Sequence, residues 1–219
     1  QPRMARIVVI NPNATETCTA AIDRACEPFR LAGGPAIECL TNTQGPPGIQ
    51  SQADSDSVIP HLHGIVQREP ADAYVVACFS DPGMHSLREE TGKPVFGIAE
   101  AGMSAAMSLG ERFGVVAILP SSVTRQRRTV RAYGLSERYA ASRSIGLGVP
   151  ELADGARTRA AMIKAGERLR DEDGADVLIL GCAGMADQRQ PLADATGLPV
   201  VEPSQAALAR ALGALLQGW

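Results

Sequence analysis

The chain has 219 residues, a formal net charge of −3, 45% apolar and 21% charged residues, which fits one large domain or two of about 100 residues each. That apolar content excludes a disordered chain, because enough surface exists to bury against the entropy of ordering. Mild acidity without a massed run of Lys and Arg argues against a nucleic-acid partner, and no stretch of about 18 apolar residues is present to span a membrane.

In chain order, residues 6–10 are a β-branched run closed by Asn11-Pro12-Asn13, which predicts a strand buried on both faces. A helix is predicted over 15–30, with Asn13 or Thr15 as its cap. A strand over 36–40 follows, then a polar Gly/Pro-rich loop over 41–48 and a helix over 58–67. Residues 73–78 form a third strand that runs into Phe79-Ser80-Asp81-Pro82-Gly83, where Pro82 is placed to open a helix. After a stop at Gly92 come a short strand over 94–98 and a helix of small residues over 99–109. The strand 113–119 is closed by Pro120-Ser121-Ser122 and followed by a helix over 123–133 and a strand over 139–145. A helix over 157–170, a strand over 177–180 ending at Gly181-Cys182-Ala183-Gly184, a strand over 198–201 and a helix over 204–216 complete the chain. Apolar strands alternating with helices predict an α/β protein of parallel sheets covered by helices.

The sequence repeats itself at about half its length. Asp72-Ala-Tyr-Val-Val-Ala-Cys78 lines up with Asp176-Val-Leu-Ile-Leu-Gly-Cys182, each Asp lying six before its Cys. Gly83-Met84 and Gly184-Met185 follow, and Thr91-Gly92-Lys93-Pro94-Val95 matches Thr196-Gly197-Leu198-Pro199-Val200. Glu100 and Glu202 then precede helices in similar places, and the 8–12 segment resembles 117–121. Two Cys thus stand at the carboxyl ends of equivalent parallel strands, the edge at which open α/β sheets bind ligands. If the halves face one another across a pseudo-two-fold, both thiols reach one cleft from opposite sides.

Opposed thiols suit proton transfer at a carbon that must lose a proton from one face and regain one on the other. One Cys acts as thiolate base and the other as thiol acid, and the roles reverse for the other enantiomer. An ordinary thiol titrates near 8.5 and needs help to ionise, for which a helix N-terminus after each strand is available. Backbone N–H groups of the two Cys loops are placed to donate to an enolate oxygen, with Gly83 and Gly184 allowing close approach. No cofactor is needed where the proton already lies beside a carbonyl.

The segments Ile10-Asn11-Pro12-Asn13, Ala77-Cys78-Phe79-Ser80-Asp81-Pro82-Gly83 and Leu180-Gly181-Cys182-Ala183-Gly184-Met185 resemble the hydantoin and allantoin racemases of the aspartate/glutamate racemase superfamily, over nearly the whole chain. The resemblance implies two similar parallel-sheet α/β subdomains with the active site in the cleft between them. It implies cofactor-independent racemisation of a small ring substrate with Cys78 and Cys182 as the acid/base pair. The first subdomain is expected over 1–98 plus 204–219 and the second over 99–203, the return of the last helix being an implication of the resemblance. Amino-acid racemases of the superfamily usually carry Asn or Thr directly after the first Cys; Phe79-Ser80-Asp81 stands here, which favours a neutral ring over a free amino acid. Val201-Glu202-Pro203-Ser204 departs from the Asp-Gly often seen in ring racemases. Related alternatives on the same scaffold are an aspartate/glutamate racemase, an arylmalonate-type decarboxylase, a maleate-type isomerase and, outside catalysis, a small-molecule binding protein.

Substrate contacts are expected from Asn13, Phe79, Ser80, Ser121, Ser122, Ala183 and Gly184. Capping competes for Asn13, Ser80, Ser121 and Ser122, and Phe79 either lines an apolar pocket or packs. Asp81 is read as structural. Cys18, Cys26 and Cys39 are read as small buried side chains. Scattered Cys without a CxxC pair argue against disulfides and structural zinc, and suit a reduced cytoplasmic protein. His61 and His63 are two apart on a helix and point different ways, so no metal site is expected. Arg125, Arg127, Arg128 and Arg131 read as a solvated helix face, with an anionic ligand or subunit contact as the alternative. Glu100 and Glu202 favour the dipoles of the helices they precede. The Gly pairs at 33–34 and 146–148 lack the order of a dinucleotide site. A homo-oligomer is expected. Gln1-Pro2-Arg3-Met4 has no apolar signal core, and residues 1–3 are expected to be an appended remnant.

Overall fold

The computed structural model describes residues 4–219; the expectation about residues 1–3 lies outside them. The strands are β1 (Arg6–Asn11), β2 (Ala36–Thr41), β3 (Ala73–Val76), β4 (Val95–Gly97), β5 (Phe113–Ala117), β6 (Tyr139–Ser144), β7 (Val177–Leu180) and β8 (Val200–Val201). They build two four-stranded sheets ordered β2-β1-β3-β4 and β6-β5-β7-β8, and every pairing is parallel. The chain is therefore α/β with the same strand order used twice.

The helices are α1 (Glu16–Cys26), α2 (Gln52–Ser57), α3 (Ile59–Arg68), α4 (Met84–Thr91), α5 (Ile98–Ala106), α6 (Pro120–Ala132), α7 (Gly155–Asp171), α8 (Arg189–Thr196) and α9 (Pro203–Leu216). None of these is long and apolar enough to cross a membrane. Alternation along β1 explains how the first sheet is covered on both faces. Ile7 and Val9 join the larger core, whereas Val8 and Ile10 join a second one with Tyr74, Val76, Leu62 of α3 and Leu87 of α4.

Helices α5 and α9 tie the halves together. Each follows the last strand of its own sheet and packs on the other helix; α5 also touches β7 and β8, while α9 touches β3 and β4. Small residues permit this approach: a Cβ on Gly102 of α5 would lie 3.1 Å from Pro203 Cβ and 3.3 Å from Ile179 Cγ2.

The strand register corrects one part of the sequence repeat. Ile10 pairs with Val76 and Val116 with Leu180, so Ile10 corresponds to Val116 and not to Leu119. The β1–α1 connection is longer than the β5–α6 connection, which shifted the apparent match. The same register explains the repeated Asp. Asp72 Oδ2 accepts from the Arg6 N–H at 2.8 Å and Asp176 Oδ1 from the Arg112 N–H at 2.9 Å, so each Asp pins the start of the central strand of its sheet.

Several boundaries differ from expectation. The first helix stops at Cys26 and continues only as a 3₁₀ turn containing Pro28. The helix expected at Pro82 begins at Met84, because Asp81 (φ 48°) and Gly83 (φ 69°) both hold left-handed backbone. The helix expected from residue 123 begins at Pro120, a residue suited to a first helical position. That places Ser121 and Ser122 on the helix and not in a loop. α2 and α8 were not anticipated.

Candidate active site

Both repeated Cys stand two residues beyond a strand end, held by matching backbone bonds. Ala77 N–H donates to the Ile10 carbonyl at 2.8 Å and Gly181 N–H to the Val116 carbonyl at 2.7 Å. These bonds extend the central ladders by one residue and project Cys78 and Cys182 from the carboxyl edges of the sheets. Both half-buried thiols line one cleft that opens to solvent.

The cleft takes its walls from both halves. Asn13, Phe79, Ser80, Ser122 and Ala183 line it together with the two Cys, as do Cys18, Ile49 and Val149. Ser121 does not: it is exposed, and its hydroxyl donates to the Gln50 carbonyl at 2.9 Å. One step along a helix turns a side chain by about 100°, so adjacent serines cannot share a face. Gly184 lies outside this lining too, against a neighbouring depression between α1 and the 149–153 segment.

Asn13 serves the chain as well as the cleft. Its Oδ1 accepts from the Thr15 N–H at 2.9 Å and from Asn11 Nδ2 at 3.0 Å, and its Nδ2 donates toward Cys18 Sγ at 3.6 Å. Ser80 Oγ lies 3.3 Å from Cys78 Sγ and 3.0 Å from Ser55 Oγ, a short hydroxyl relay ending on the thiol. Asp81 closes the same loop. Its carboxylate accepts from the Ala99 and Glu100 N–H groups, both at 2.9 Å, and from the Tyr133 hydroxyl at 2.6 Å. Asp81 thus caps α5, which bears on its expected structural role. Glu202 caps α9 through a 2.7 Å bond from the Gln205 N–H. Glu100 instead sits in the first turn of α5 and pairs with Arg88 at 3.0 Å.

Burial dominates the electrostatics. It pushes the Cys78 thiol up, with Ser80 and Arg125 pulling down and Asp81 pushing up. It pushes Cys182 further; Cys18, Cys78 and Glu202 add to the rise, and only the Gly184 N–H opposes it. Cys18 is pushed up to about 11, again by burial. Buried Asp81 and Glu202 rise to about 6 and about 7. A thiol working as a base here needs a positive charge or donors in its neighbourhood.

α6 supplies a wall of which sequence reading named only Ser122 as a substrate contact, with Arg125 read first as solvated. Ser122, Arg125, Gln126 and Thr129 all face the cleft, at the i, i+3, i+4, i+7 spacing of one helical face. Arg125 is therefore not part of a solvated stripe, whereas Arg127, Arg128 and Arg131 are exposed. The signal was present in the spacing, but the face is polar and a search for apolar stripes passes over it. Cys18 was anticipated as buried and is, yet it also lines the cleft. His61 Nδ1 lies 3.1 Å from Asn42 Nδ2, and His63 contacts Glu90 and Ser86.

The chain matches the Asp/Glu/Hydantoin racemase family over residues 7–211. It is 35% identical to a hydantoin racemase of Paenarthrobacter aurescens over 207 residues, covering 92% of this chain and 87% of the relative. Among solved structures it resembles an allantoin racemase of Klebsiella pneumoniae, with a TM-score of 0.88, 31% identity, and 98% of this chain and 89% of that one covered. An allantoin racemase of Pseudomonas fluorescens gives a TM-score of 0.91 at 31% identity, with 97% and 92% covered.

Proposed function

This chain belongs to the Asp/Glu/hydantoin racemase family, and from that premise we propose that it racemises a 5-substituted hydantoin or allantoin without a cofactor, using Cys78 and Cys182 as the two bases. One thiolate removes the proton from the ring carbon, leaving its electron pair delocalised onto the adjacent carbonyl as an enolate. The opposite thiol then delivers its own proton to the other face and becomes the thiolate. The next turnover runs in reverse, or solvent resets the pair.

The observation that carries this reading is the placement of two equivalent thiols on opposite sheets around one cleft. The lining also favours a ring over a free amino acid. No Asp or Glu is among the described residues that line the cleft, so nothing there offers a counter-charge to an ammonium group. Ile49, Phe79, Ile118 and Val149 instead provide apolar surface for a ring and its substituent. Asn13, Ser80, Ser122 and Ala183 are assigned to hold the ring. We assign residues 1–98 with 204–219 to one subdomain and 99–203 to the other, consistent with the crossing of α5 and α9.

The test follows optical rotation of enantiopure 5-benzylhydantoin and allantoin, with a no-enzyme control for spontaneous racemisation. Decay to zero without loss of ultraviolet absorbance is expected for at least one of them. Cys78→Ser and Cys182→Ser should each abolish decay, while either single variant in D2O still exchanges the ring proton of one enantiomer. Wild-type racemisation by either variant would overturn the two-base assignment. Persistent rotation with both substrates would remove the ring-racemase reading.

A further inference from the structure

The cleft holds two thiols that burial keeps protonated, and one of them must ionise for the chemistry to start. Arg125 is the one charged side chain among the described residues that line it. No ion pair involving it is found among those residues, and its Nε and Nη1 are buried without a hydrogen-bond partner. Its Nη2 donates to Ser122 Oγ at 3.3 Å, which holds the guanidinium against the cleft wall. A half-buried guanidinium without a counter-charge carries a desolvation cost, which an anion forming beside it offsets.

The wall opposite offers no equivalent. Thr15 caps α1 and Leu119 caps α6. Counted from those caps, Cys18 stands where Ser122 does, and Ala21 stands where Arg125 does. The position equivalent to Arg125 thus holds Ala21, which lines the neighbouring depression and brings no charge to the cleft.

We infer that Arg125 is the fixed counter-charge of this cleft and makes Cys78, not Cys182, the thiol that ionises first. The inference rests on the two-thiol reading above. α6 is tied to the Cys78 side: Ser121 Oγ donates to the Gln50 carbonyl and Arg128 Nη2 to Gln52 Oε1, at the start of α2, whose Ser55 reaches Cys78 through Ser80, whereas α1 packs on the turn after Cys182. The Arg125 charge accordingly bears on Cys78. The other groups facing Cys78 are Ser80 and Asp81 of its own loop, Cys18 of α1 and Cys182 across the cleft. Asp54 of α2 and Arg128 act on Arg125 itself. Asp54 is occupied as the acceptor of the Gln50 N–H at 2.9 Å. Arg125 acts through the thiol and is a positioning residue in this assignment.

The experiment measures iodoacetamide alkylation of Cys78 and Cys182 against pH, read peptide by peptide by mass spectrometry. It uses the wild-type protein, Arg125→Gln and Arg125→Lys, and needs no substrate, so it stands apart from the racemisation assay. In the wild type the Cys78 midpoint should lie below that of Cys182. Arg125→Gln should raise the Cys78 midpoint by about one unit or more, a roughly tenfold loss of its alkylation rate at pH 7. The Cys182 midpoint should move less, and Arg125→Lys should restore most of the Cys78 value. A wild-type Cys182 midpoint below that of Cys78 would overturn the inference even if no variant folds. So would a Cys78 midpoint unmoved by Arg125→Gln, or an equal shift at both thiols.

Discussion

Glu202 offers the sharpest test of how burial governs this molecule. Its side chain is 3% exposed; Oε2 accepts the Gln205 N–H, while Oε1 is buried without a partner. Burial lifts its pKa from the ordinary 4.5 to about 7, the Gln205 N–H pulling the other way. Between those values the folded chain holds a proton that the unfolded chain has released. The resulting stabilisation is fully present below pH 4.5 and is lost as the pH rises through about 7. The full shift is worth about 3 kcal/mol, of which about 2.5 kcal/mol falls between pH 5 and pH 8. Glu202→Gln keeps an acceptor for the helix cap and removes the titration. Urea unfolding of both proteins at pH 5 and pH 8 separates this group from every other one, because the rest cancel in the difference. The variant should gain on the wild type by about 2.5 kcal/mol on going to pH 8. A difference that stays constant across the two pH values would refute the reasoning, whatever its size.

Three further outcomes follow from the packing. Gly97→Ala should destabilise by about 2 kcal/mol or more, because a Cβ there would lie 2.3 Å from the Asp81 carboxylate that caps α5; thermal melts with a matched Gly213→Ala control, where the space is open, would check it. Leu62→Ala should cost about 2–5 kcal/mol in urea unfolding, since the side chain is fully buried under the first sheet. Tyr133→Phe removes the 2.6 Å bond to Asp81 and should cost about 1.5–3 kcal/mol at pH 8, with a smaller loss at pH 5, where Asp81, raised to about 6, is protonated.

The sheets were legible because their inner strands, β1, β3, β5 and β7, are short and buried on both faces. Residues 7–10, 73–76 and 177–180 read as unbroken apolar runs, and no helix of that length imitates them. The Cys pair was legible because strand ends repeat with constant spacing from an Asp whose job is local, pinning a neighbouring strand. Helices without an apolar stripe were harder. α2 is Gln-Ala-Asp-Ser-Asp-Ser, of which only Ser55 is buried, so its pattern is that of a loop. α8 buries only Leu192 and Thr196. The same blindness hid Arg125, whose helix buries Ser122, Gln126 and Val130. Ser121 was misplaced because a helix was started three residues late, which turned a question of helical phase into one of loop position. Ser80 and Asp81 divide according to a backbone fact absent from sequence patterns: Asp81 holds φ 48°, which points its carboxylate at the start of α5.

The two halves are alike where hydrogen bonds set the geometry and unlike where side chains set the charge. Equal register between β1 and β3, and between β5 and β7, brings each thiol to the same height above its sheet. Because α5 and α9 each cross to the other sheet, the distance between the thiols is set by their packing and not by a loop. A reaction that treats two faces of one carbon needs that equality of position. It does not need equality of charge, since a single negative charge passes from one sulfur to the carbon and on to the other sulfur. Carboxylates stand behind both thiols, Asp81 near Cys78 and Glu202 near Cys182, and both are held partly protonated by burial. Arg125 is the one guanidinium among the described residues that line the cleft itself, and its charge bears on Cys78. In the proposed reaction the symmetry inherited from the repeat sets where protons are exchanged, and the departure from it at Arg125 sets which thiol ionises first.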